Sequence, residues 1–385
     1  MKRVVNSQLG SDLGCGESNY ADSGFSQAVI HWQKSHGRHN LPWQQSKDAY
    51  RVWLSEIMLQ QTQVAAVIPY YQRFLASFPD VASLANASSE QVMSHWSGLG
   101  YYTRARNLHA CAKRVVQEYA GVFPHQPELL AELPGIGRST AAAIAAFSYG
   151  ARAAILDGNV KRVFTRVFGI DGFPATKSVE NDLWLRAQAL MPDTDKAAIQ
   201  SYTQGLMDLG ATLCTRTKPR CNDCPLQKRC VALATDRIAE LPAKKAKKAV
   251  PTKQIRMLLI LDKSNKVLLE KRPEIGIWGG LFSLPELVYD EDRTAQQVLR
   301  QVQHAVQEFG EPDSIQELNK FTHGFTHFKL EISPYQCGLK SKAHAVSEGT
   351  HVWYPLEQCD TAPLPAPIKK LLGWVRNNQL TFVGR

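Results

Sequence analysis

The chain of 385 residues is long enough for two domains, each with its own hydrophobic core. Its net charge of +10 favours a polyanionic partner, although a basic protein without such a partner is equally compatible with charge alone. No apolar run approaches the roughly 18 residues of a membrane-spanning helix, and the polar residues 1–24 lack the apolar segment of a signal peptide. We therefore predict a cytoplasmic, nucleoid-associated protein of bacterial type, with a flexible extension over residues 1–24 and no membrane contact.

Residues 25–236 have the apolar spacing of helices. Apolar side chains recur every three or four positions in YRVWLSEIMLQQTQ and LHACAKRVVQEYA, and Pro and Gly mark turns in FPD, SGLGYY and LPGIG. No strand–helix–strand alternation occurs, so an all-α domain is predicted. Within it, Glu56 has Trp53 and Leu59 three residues to either side. Such a carboxyl is partly desolvated, which raises its pKa and keeps a proton available, but the spacing also suits a surface glutamate.

The segment LPGIGRSTAAAIAAFSYGARAAILDGNVK carries a second set of polar features. Gly135 and Gly137 form a Gly-x-Gly turn before an Ala-rich helix, and backbone N–H groups at such a turn either bind phosphate or simply cap the helix. Asp157 begins the next helix, whose N-terminus should keep its carboxylate ionised, and Asn159 can help by hydrogen bonding. If Glu56 and Asp157 face one pocket, an acid and an anion coexist there.

Four cysteines lie within seventeen residues in the pattern C-x6-C-x2-C-x5-C: Cys214, Cys221, Cys224 and Cys230. In a reducing compartment such crowding favours metal ligation over disulfides. Zinc is the general alternative, but zinc modules usually pair two C-x2-C knuckles and this loop has one. The scattered cysteines are predicted to be free thiols: Cys15, Cys111, Cys337 and Cys359.

The chain changes character after residue 236. Residues 237–255 are rich in lysine and proline and are predicted to be a solvated linker. Residues 256–385 predict an α+β domain, with strands in RMLLILD, KVLLEKR, HFKLEISPYQCGL and THVWYPL and helices in AQQVLRQVQHAVQEF and APIKKLLGWVR. The segment GLFSLPE, with Gly280 and Glu286, resembles the start of a Nudix box. The later carboxylate pairs of the box are missing, so we predict recognition here and no Mg²⁺-dependent hydrolysis.

Several segments together resemble the MutY family of adenine DNA glycosylases, within the endonuclease III or helix-hairpin-helix superfamily. They are LPWQ, VWLSEIMLQQTQ, GLGYYTRARNLH, LPGIGRST, ILDGNVKRV, QGLMDLG and the cysteine loop over residues 214–230. The resemblance implies a monofunctional enzyme that hydrolyses the N-glycosidic bond of adenine mispaired with 8-oxo-guanine or guanine in duplex DNA. It also implies an all-α glycosylase domain with a helix-hairpin-helix near residues 133–140, a [4Fe–4S] cluster on the four cysteines, and a Nudix-like domain that reads 8-oxo-guanine.

The resemblance implies a role for each matching residue. Glu56 is the general acid, and Asp157, assisted by Asn159, stabilises the cationic sugar. Trp43 and Gln204 form the adenine pocket. The residues expected to wedge the duplex and contact 8-oxo-guanine are Gln61, Thr62, Leu99 and Tyr101. The phosphate-binding turn comprises Gly135, Gly137 and Ser139. Phe325, Thr326 and His327 stand where the family usually carries Phe-Ser-His.

Alternatives to this interpretation differ at identifiable positions. Bifunctional glycosylase/lyases acting on oxidised pyrimidines carry a lysine nucleophile where this chain has Ser139, and a hydroxyl cannot form a Schiff base. Lys161, four residues after Asp157, could form only an adventitious imine. A non-catalytic damage-binding protein would not need both carboxyls, and a nucleotide pyrophosphatase would need an intact Nudix box. We expect a monomer on DNA, and contacts with clamp or mismatch-repair proteins are only a family expectation.

Overall fold

The computed structural model describes residues 20–193, 195–245, 250–343 and 350–380. Most of the predicted N-terminal extension, Cys15 and the linker residues Lys247 and Lys248 lie outside the described residues. The chain divides into two compact units. The first comprises Met1–Ala85 and Ala110–Ala246, and the second comprises Asn86–His109 and Lys247–Arg385. The domain boundaries predicted from the sequence stay predictions.

Helices account for the regular structure between residues 20 and 245, as the apolar spacing predicts. They are α1 (Ser23–His36), α2 (Ala49–Leu59), α3 (Val64–Ser77), α4 (Val81–Asn86), α5 (Ser89–Trp96), α6 (Thr103–Tyr119), α7 (Pro127–Ala131), α8 (Arg138–Tyr149), α9 (Gly158–Val167), α10 (Lys177–Ala189), α11 (Lys196–Asp208) and α12 (Val231–Ala234). Short 3₁₀ turns occur at Pro42–Gln45, Cys221–Asp223 and Gln227–Arg229, and a π-helical turn at Leu209–Leu213 extends α11.

Local polar contacts fix where the helices of the first unit begin. Asp48 caps α2 by accepting a hydrogen bond from the Arg51 amide, and Asp195 caps α11 by accepting one from the Ala198 amide. Between α7 and α8, Gly135 adopts a left-handed conformation at φ 78° that places Gly137 at the start of α8. The turn of the predicted helix-hairpin-helix is therefore present between α7 and α8, at the expected position.

The core of the first unit holds α1, α9 and α11 together. Phe25 from α1, Phe164 from α9 and Leu206 from α11 are among its fully buried side chains. The two helices α1 and α11 approach closely at Gly205, where an added Cβ would lie 2.7 Å from Val29 Cγ1. This close approach places α1 and α11 side by side, and both helices contribute residues to one cavity, including Gln33 and Gln204.

The second unit contains a mixed eight-stranded sheet. Its strands are β1 (Thr252–Leu261), β2 (Lys266–Lys271), β3 (Phe282–Ser283), β4 (Glu286–Leu287), β5 (Gly310–Glu317), β6 (Phe321–Gly324), β7 (Lys329–Lys342) and β8 (His351–Pro355). The main order is β3-β2-β1-β7-β5, and β4, β6 and β8 pair with β1, β7 and β2 respectively. Strands β1 and β7 are parallel, whereas the other pairs are antiparallel.

The predicted strands and helices of the second unit are present, but four strands were missed. The helices are α13 (Ala295–Gln307) and α14 (Ala366–Leu380), and α13 packs Val298, Val302 and Val306 against the sheet. The missed strands β3 and β4 are two residues long, and β6 has four residues. The fourth, β5, is a mostly exposed, polar segment without apolar alternation. Such strands form because their backbone groups pair with a neighbour, so the periodicity of their side chains does not reveal them.

Residues 86–109 belong to the second unit through specific hydrogen bonds. The Ser94 hydroxyl donates to the Thr361 carbonyl and the Ser97 hydroxyl to the Leu364 carbonyl, each at 2.8 Å. The Arg106 guanidinium donates to the Gly279 carbonyl at 2.6 Å.

Within the described residues, no helix is both long enough and apolar enough to cross a membrane.

Replacing Gly205 by alanine tests the close approach of α1 and α11. The added methyl group would meet Val29 Cγ1 at 2.7 Å and the Val29 carbonyl oxygen at 3.1 Å. We expect the overpacking to cost about 1–3 kcal/mol, measured as a lower midpoint of thermal unfolding. Gly373→Ala is the matched control, since its Cβ would meet nothing within 4 Å on α14. An unchanged midpoint in Gly205→Ala would contradict the packing described.

Candidate active site

A cavity of about 430 Å³ in the first unit brings three of the predicted site residues together. Trp43, Glu56 and Gln204 all line it, although they come from the 3₁₀ turn at residues 42–45, from α2 and from α11. The Trp43 ring is 8% exposed and packs edge-on against Tyr71, with the ring centroids 5.5 Å apart. A cavity of this size with one fixed aromatic wall can hold a planar heterocycle.

Glu56 is the strongest acid candidate in this cavity. Burial, together with the nearby charge of Asp157, raises the pKa of Glu56 from 4.5 to about 8. Among the described residues, no hydrogen bond to its carboxyl group lowers this value. The sequence-based prediction of a raised pKa is therefore confirmed, and Glu56 retains its proton at neutral pH.

Asp157 caps α9 as predicted, with its carboxylate held by three hydrogen bonds. It accepts from the backbone N–H groups of Asn159 at 3.0 Å and Val160 at 2.8 Å, and from Asn159 Nδ2 at 3.2 Å. Burial nevertheless raises the pKa of Asp157 above its usual value, while these bonds and the Arg162 charge lower it only in part. The prediction that the helix N-terminus would dominate is wrong, because desolvation of the carboxylate outweighs it.

The different surroundings of the two carboxyls decide which of them holds a proton. Both are buried, but only Asp157 accepts hydrogen bonds and faces a guanidinium. These partners favour the ionised form, so the first proton taken up by the pair goes to Glu56. Glu56 lines the cavity and Asp157 is not among its lining residues, so the prediction that the two carboxyls face one pocket stays a prediction.

Arg162, which the sequence analysis missed, connects Asp157 to the cysteine loop. Its Nη2 donates to Asn159 Oδ1 at 2.8 Å and to the Gly210 carbonyl at 2.7 Å, and its Nε donates to the Cys214 carbonyl at 2.7 Å. Gly210 lies so close that an added Cβ would be 2.5 Å from Asn159 Cβ. The i, i+3 spacing of Asn159 and Arg162 on one helix was the available signal.

The four clustered cysteines line one cavity under the loop that they form. Arg166, which is 2% exposed, donates from Nη1 to Cys214 Sγ at 3.4 Å and to the Thr215 carbonyl at 2.7 Å. In the part of the chain that the structure describes, no three His, Cys, Asp or Glu side chains gather closely enough to hold a metal ion. The four thiols share one cavity, and none forms a disulfide. Cys111, Cys337 and Cys359 are buried free thiols, as predicted.

The predicted phosphate-binding turn is hydrogen-bonded to the segment that precedes Asp157. The Ser139 hydroxyl accepts a hydrogen bond from the Leu156 backbone N–H at 2.9 Å. No group lies within 4 Å of a Cβ placed on Gly137, so its backbone is open to a ligand. Lys161 Nζ forms an ion pair with Glu180 Oε1 at 2.5 Å. The amine that the sequence placed near Asp157 is therefore paired with a carboxylate.

The four residues predicted to wedge the duplex lie in two separate segments. Gln61 and Thr62 follow α2 in the first unit, and Leu99 and Tyr101 lie in the 86–109 segment of the second unit. Gln61 and Tyr101 both have positive φ angles, of 57° and 49°, a conformation that non-glycine residues keep only when their surroundings impose it. The Tyr101 ring is half-exposed above the Arg104 guanidinium, whereas Leu99 is buried.

The residues Phe325, Thr326 and His327 lie at the tip of the β6–β7 hairpin. The Phe325 ring stacks on Phe328 with centroids 4.5 Å apart, and the Phe325 N–H donates to the Phe328 carbonyl at 2.9 Å. Thr326 and His327 are exposed at this tip. Glu286, the carboxylate of the partial Nudix box, is paired with Arg272 at 2.8 Å.

Comparison with known proteins identifies both halves of the chain. Residues 54–188 match the family described as HhH-GPD superfamily base excision DNA repair protein, and residues 256–374 match the NUDIX domain family. An adenine DNA glycosylase of Buchnera aphidicola is 37% identical over 92% of this chain and 98% of its own length, and the Homo sapiens adenine DNA glycosylase is 31% identical over 90% and 73%. The chain belongs to the adenine DNA glycosylase family.

Membership of the adenine DNA glycosylase family confirms the resemblance to MutY. It also agrees with the combination of a helical HhH-GPD domain and a Nudix-like domain with a mixed sheet. Among solved structures, a thermostable thymine-DNA glycosylase aligns with 57% of this chain and 97% of its own length, at 26% identity and a TM-score of 0.49.

The raised pKa of Glu56 predicts a pH-dependent difference in stability between the wild type and Glu56→Gln. The unfolded chain releases this proton near pH 4.5 and the folded chain near pH 8, so ionisation opposes folding between these values. The free energy of unfolding of the wild type should therefore fall relative to Glu56→Gln, by at most about 1.4 kcal/mol per pH unit in this interval. Urea unfolding at a series of pH values measures it.

Glu128→Gln, at an exposed position on α7, is the control for the substitution itself. Parallel stability curves for the wild type and Glu56→Gln across the interval would contradict the buried, protonated state of Glu56.

Proposed function

We propose that this protein is a monofunctional adenine DNA glycosylase, which removes adenine mispaired with 8-oxo-guanine or guanine and so prevents G·C to T·A changes during base excision repair. The observation that carries the proposal is the coupled pair of buried carboxyls, Glu56 and Asp157, with different affinities for a proton. Hydrolysis of an N-glycosidic bond needs an acid for the leaving base and an anion for the developing sugar cation.

The geometry supports a specific division of roles. Adenine must leave the base stack, because its glycosidic bond is inaccessible inside the duplex. The extruded base then binds in the cavity beside the Trp43 ring. Glu56 donates its proton to a ring nitrogen, which makes adenine a better leaving group. Asp157, oriented by the Asn159 amide, stabilises the positive charge that develops on the sugar. Once the base has left, the Glu56 carboxylate can take a proton from the attacking water.

Two hydrogen-bonded side chains support hydrolysis without strand cleavage. A β-elimination needs an amine that forms a Schiff base with the sugar. Ser139 provides a hydroxyl that is bonded to the Leu156 amide, and the ammonium group of Lys161 is paired with Glu180. An abasic site in an intact strand is therefore the expected product.

The cysteine loop is proposed to hold a [4Fe–4S] cluster. The observation that supports this proposal is that four thiols of one short loop line a single cavity, since Cys thiolates are the ligands of such clusters. The residues that would hold it are Cys214, Cys221, Cys224 and Cys230. Arg166 Nη1 donates to Cys214 Sγ, which fixes this thiol against α9. The cluster, when bound, fixes a basic loop, and Arg162 connects that loop to Asn159.

The second unit is proposed to read 8-oxo-guanine on the opposite strand. The exposed Thr326 and His327 at the β6–β7 tip, braced by the stacked Phe325, provide a hydroxyl and an imidazole for polar contacts. Tyr101, held at a positive φ angle above Arg104, is suited to insertion into the duplex. We propose that the protein acts on double-stranded DNA as a monomer in the cytoplasm, with clamp or mismatch-repair proteins as further candidate partners.

Single-turnover assays on duplexes with adenine opposite 8-oxo-guanine, and with adenine opposite cytosine, test the activity. We expect faster release of adenine opposite 8-oxo-guanine, and strand breaks only after treatment with alkali. Glu56→Gln should lose base release by about a thousandfold, because the leaving base is no longer protonated, while it still binds the duplex. The wild-type rate should fall as pH rises through about 8, where Glu56 loses its proton.

Glu128→Gln is the surface control for this assay. Unchanged turnover in Glu56→Gln would remove the assigned acid. Equal rates on the two duplexes would count against reading of 8-oxo-guanine by the second unit, and strand cleavage without alkali would favour the bifunctional alternative.

Cys224→Ser tests the proposed cluster. We expect lower iron content, weaker visible absorbance and a lower unfolding midpoint, because metal binding contributes to the folding free energy of the loop. Cys359→Ser is the matched control, since Cys359 is a buried thiol of the second unit and is not one of the four loop cysteines. A wild-type protein that contains one zinc ion and no iron would contradict the proposal.

A further inference from the structure

Asp208, at the end of α11, is a fully buried carboxylate behind the wall of the active-site cavity. Its Oδ1 accepts hydrogen bonds from Gln204 Nε2 at 2.9 Å and from Arg38 Nε at 2.7 Å, and its Oδ2 accepts one from the Arg38 backbone N–H at 2.8 Å. The Arg38 guanidinium lies 2.6 Å away and neutralises the buried charge. Arg38 and Gln204 both line the cavity, whereas Asp208 does not.

The chemistry of this network fixes the orientation of the Gln204 amide. A carboxylate only accepts hydrogen bonds, so Gln204 must direct its NH₂ group toward Asp208. The carbonyl oxygen of Gln204 is then the polar atom that remains for a ligand, and no other described residue donates to it. A flipped amide would place two acceptors against each other in a buried site, which costs a hydrogen bond and adds repulsion.

We propose that Asp208 is a positioning residue that sets the base preference of this site by holding the Gln204 carbonyl oxygen toward the base. The inference rests on the proposed function, since it concerns the base bound in the same cavity. An acceptor at this position complements the exocyclic amino group of adenine. Hypoxanthine carries a carbonyl oxygen in place of that amino group, so it would place a second acceptor against the Gln204 carbonyl oxygen. A site with a fixed polar group discriminates strongly between two bases that differ in this way.

The test compares single-turnover release of adenine and hypoxanthine, each placed opposite 8-oxo-guanine in the same duplex, by the full chain. The wild type should prefer adenine. Asp208→Asn supplies a side chain that can donate or accept, so the Gln204 amide is free to turn and its NH₂ group can meet hypoxanthine. We expect the adenine-to-hypoxanthine rate ratio to fall by about tenfold, the effect of one exchanged hydrogen bond. The active fraction of each preparation cancels in this ratio.

A purely structural role would lower both rates together and leave the ratio unchanged, and that result would overturn the inference. Gln204→Met keeps the Asp208–Arg38 pair and removes the amide, so it should lose the same preference even if Asp208→Asn folds poorly. An unchanged ratio in Gln204→Met would also overturn the inference. Circular dichroism verifies that each variant is folded.

Arg38→Lys separates the guanidinium from the amide contact. It keeps a cation beside Asp208 and the bond between Asp208 and Gln204, so the adenine preference should remain. A loss of preference equal to that of Asp208→Asn would overturn the inference by tracing the effect to the guanidinium. Absence of adenine release by the wild type would instead mean failure of the proposed function, which keeps the two failures distinguishable.

Discussion

The difference in solvation between two nearby carboxyls is the constraint on which the proposed chemistry depends. Burial raises the pKa of both Glu56 and Asp157, and each would be neutral if burial acted alone. Hydrogen bonds from the start of α9 and the charge of Arg162 act only on Asp157. Because these contacts are unequal, Asp157 releases its proton more readily than Glu56 does.

The fold maintains this inequality through the contacts of α9 with its neighbours. The π-helical turn after α11 brings Gly210 against Asn159, and Arg162 bonds to Asn159, to the turn and to the first residue of the cysteine loop. The orientation of the Asp157 carboxylate is therefore coupled to the folding of the loop. A structural group in that loop would support the active site through the backbone and through one guanidinium.

The last turn of α11 itself organises the pocket for the base in a comparable way. Gly205 lets α1 approach, and Asp208 orients Gln204 and Arg38 from behind the cavity wall. A buried carboxylate with a guanidinium and an amide as partners has few alternative arrangements, because each unpaired polar group would be costly. The same helix thus supports both the proposed recognition of the base and the cysteine loop.

The sequence by itself determined the helical and α+β halves, the turn of the helix-hairpin-helix, the cap at Asp157 and the two candidate carboxyls, because these depend on local spacing and on residue chemistry. It could not reveal β5, whose pairing with β7 is non-local, or the roles of Arg162 and Asp208, which are ordinary charged residues until the fold supplies their partners. Only the tertiary structure decided the net pKa shift of Asp157. Burial is a property of the packed chain, and here it outweighs the helix N-terminus that the sequence made visible.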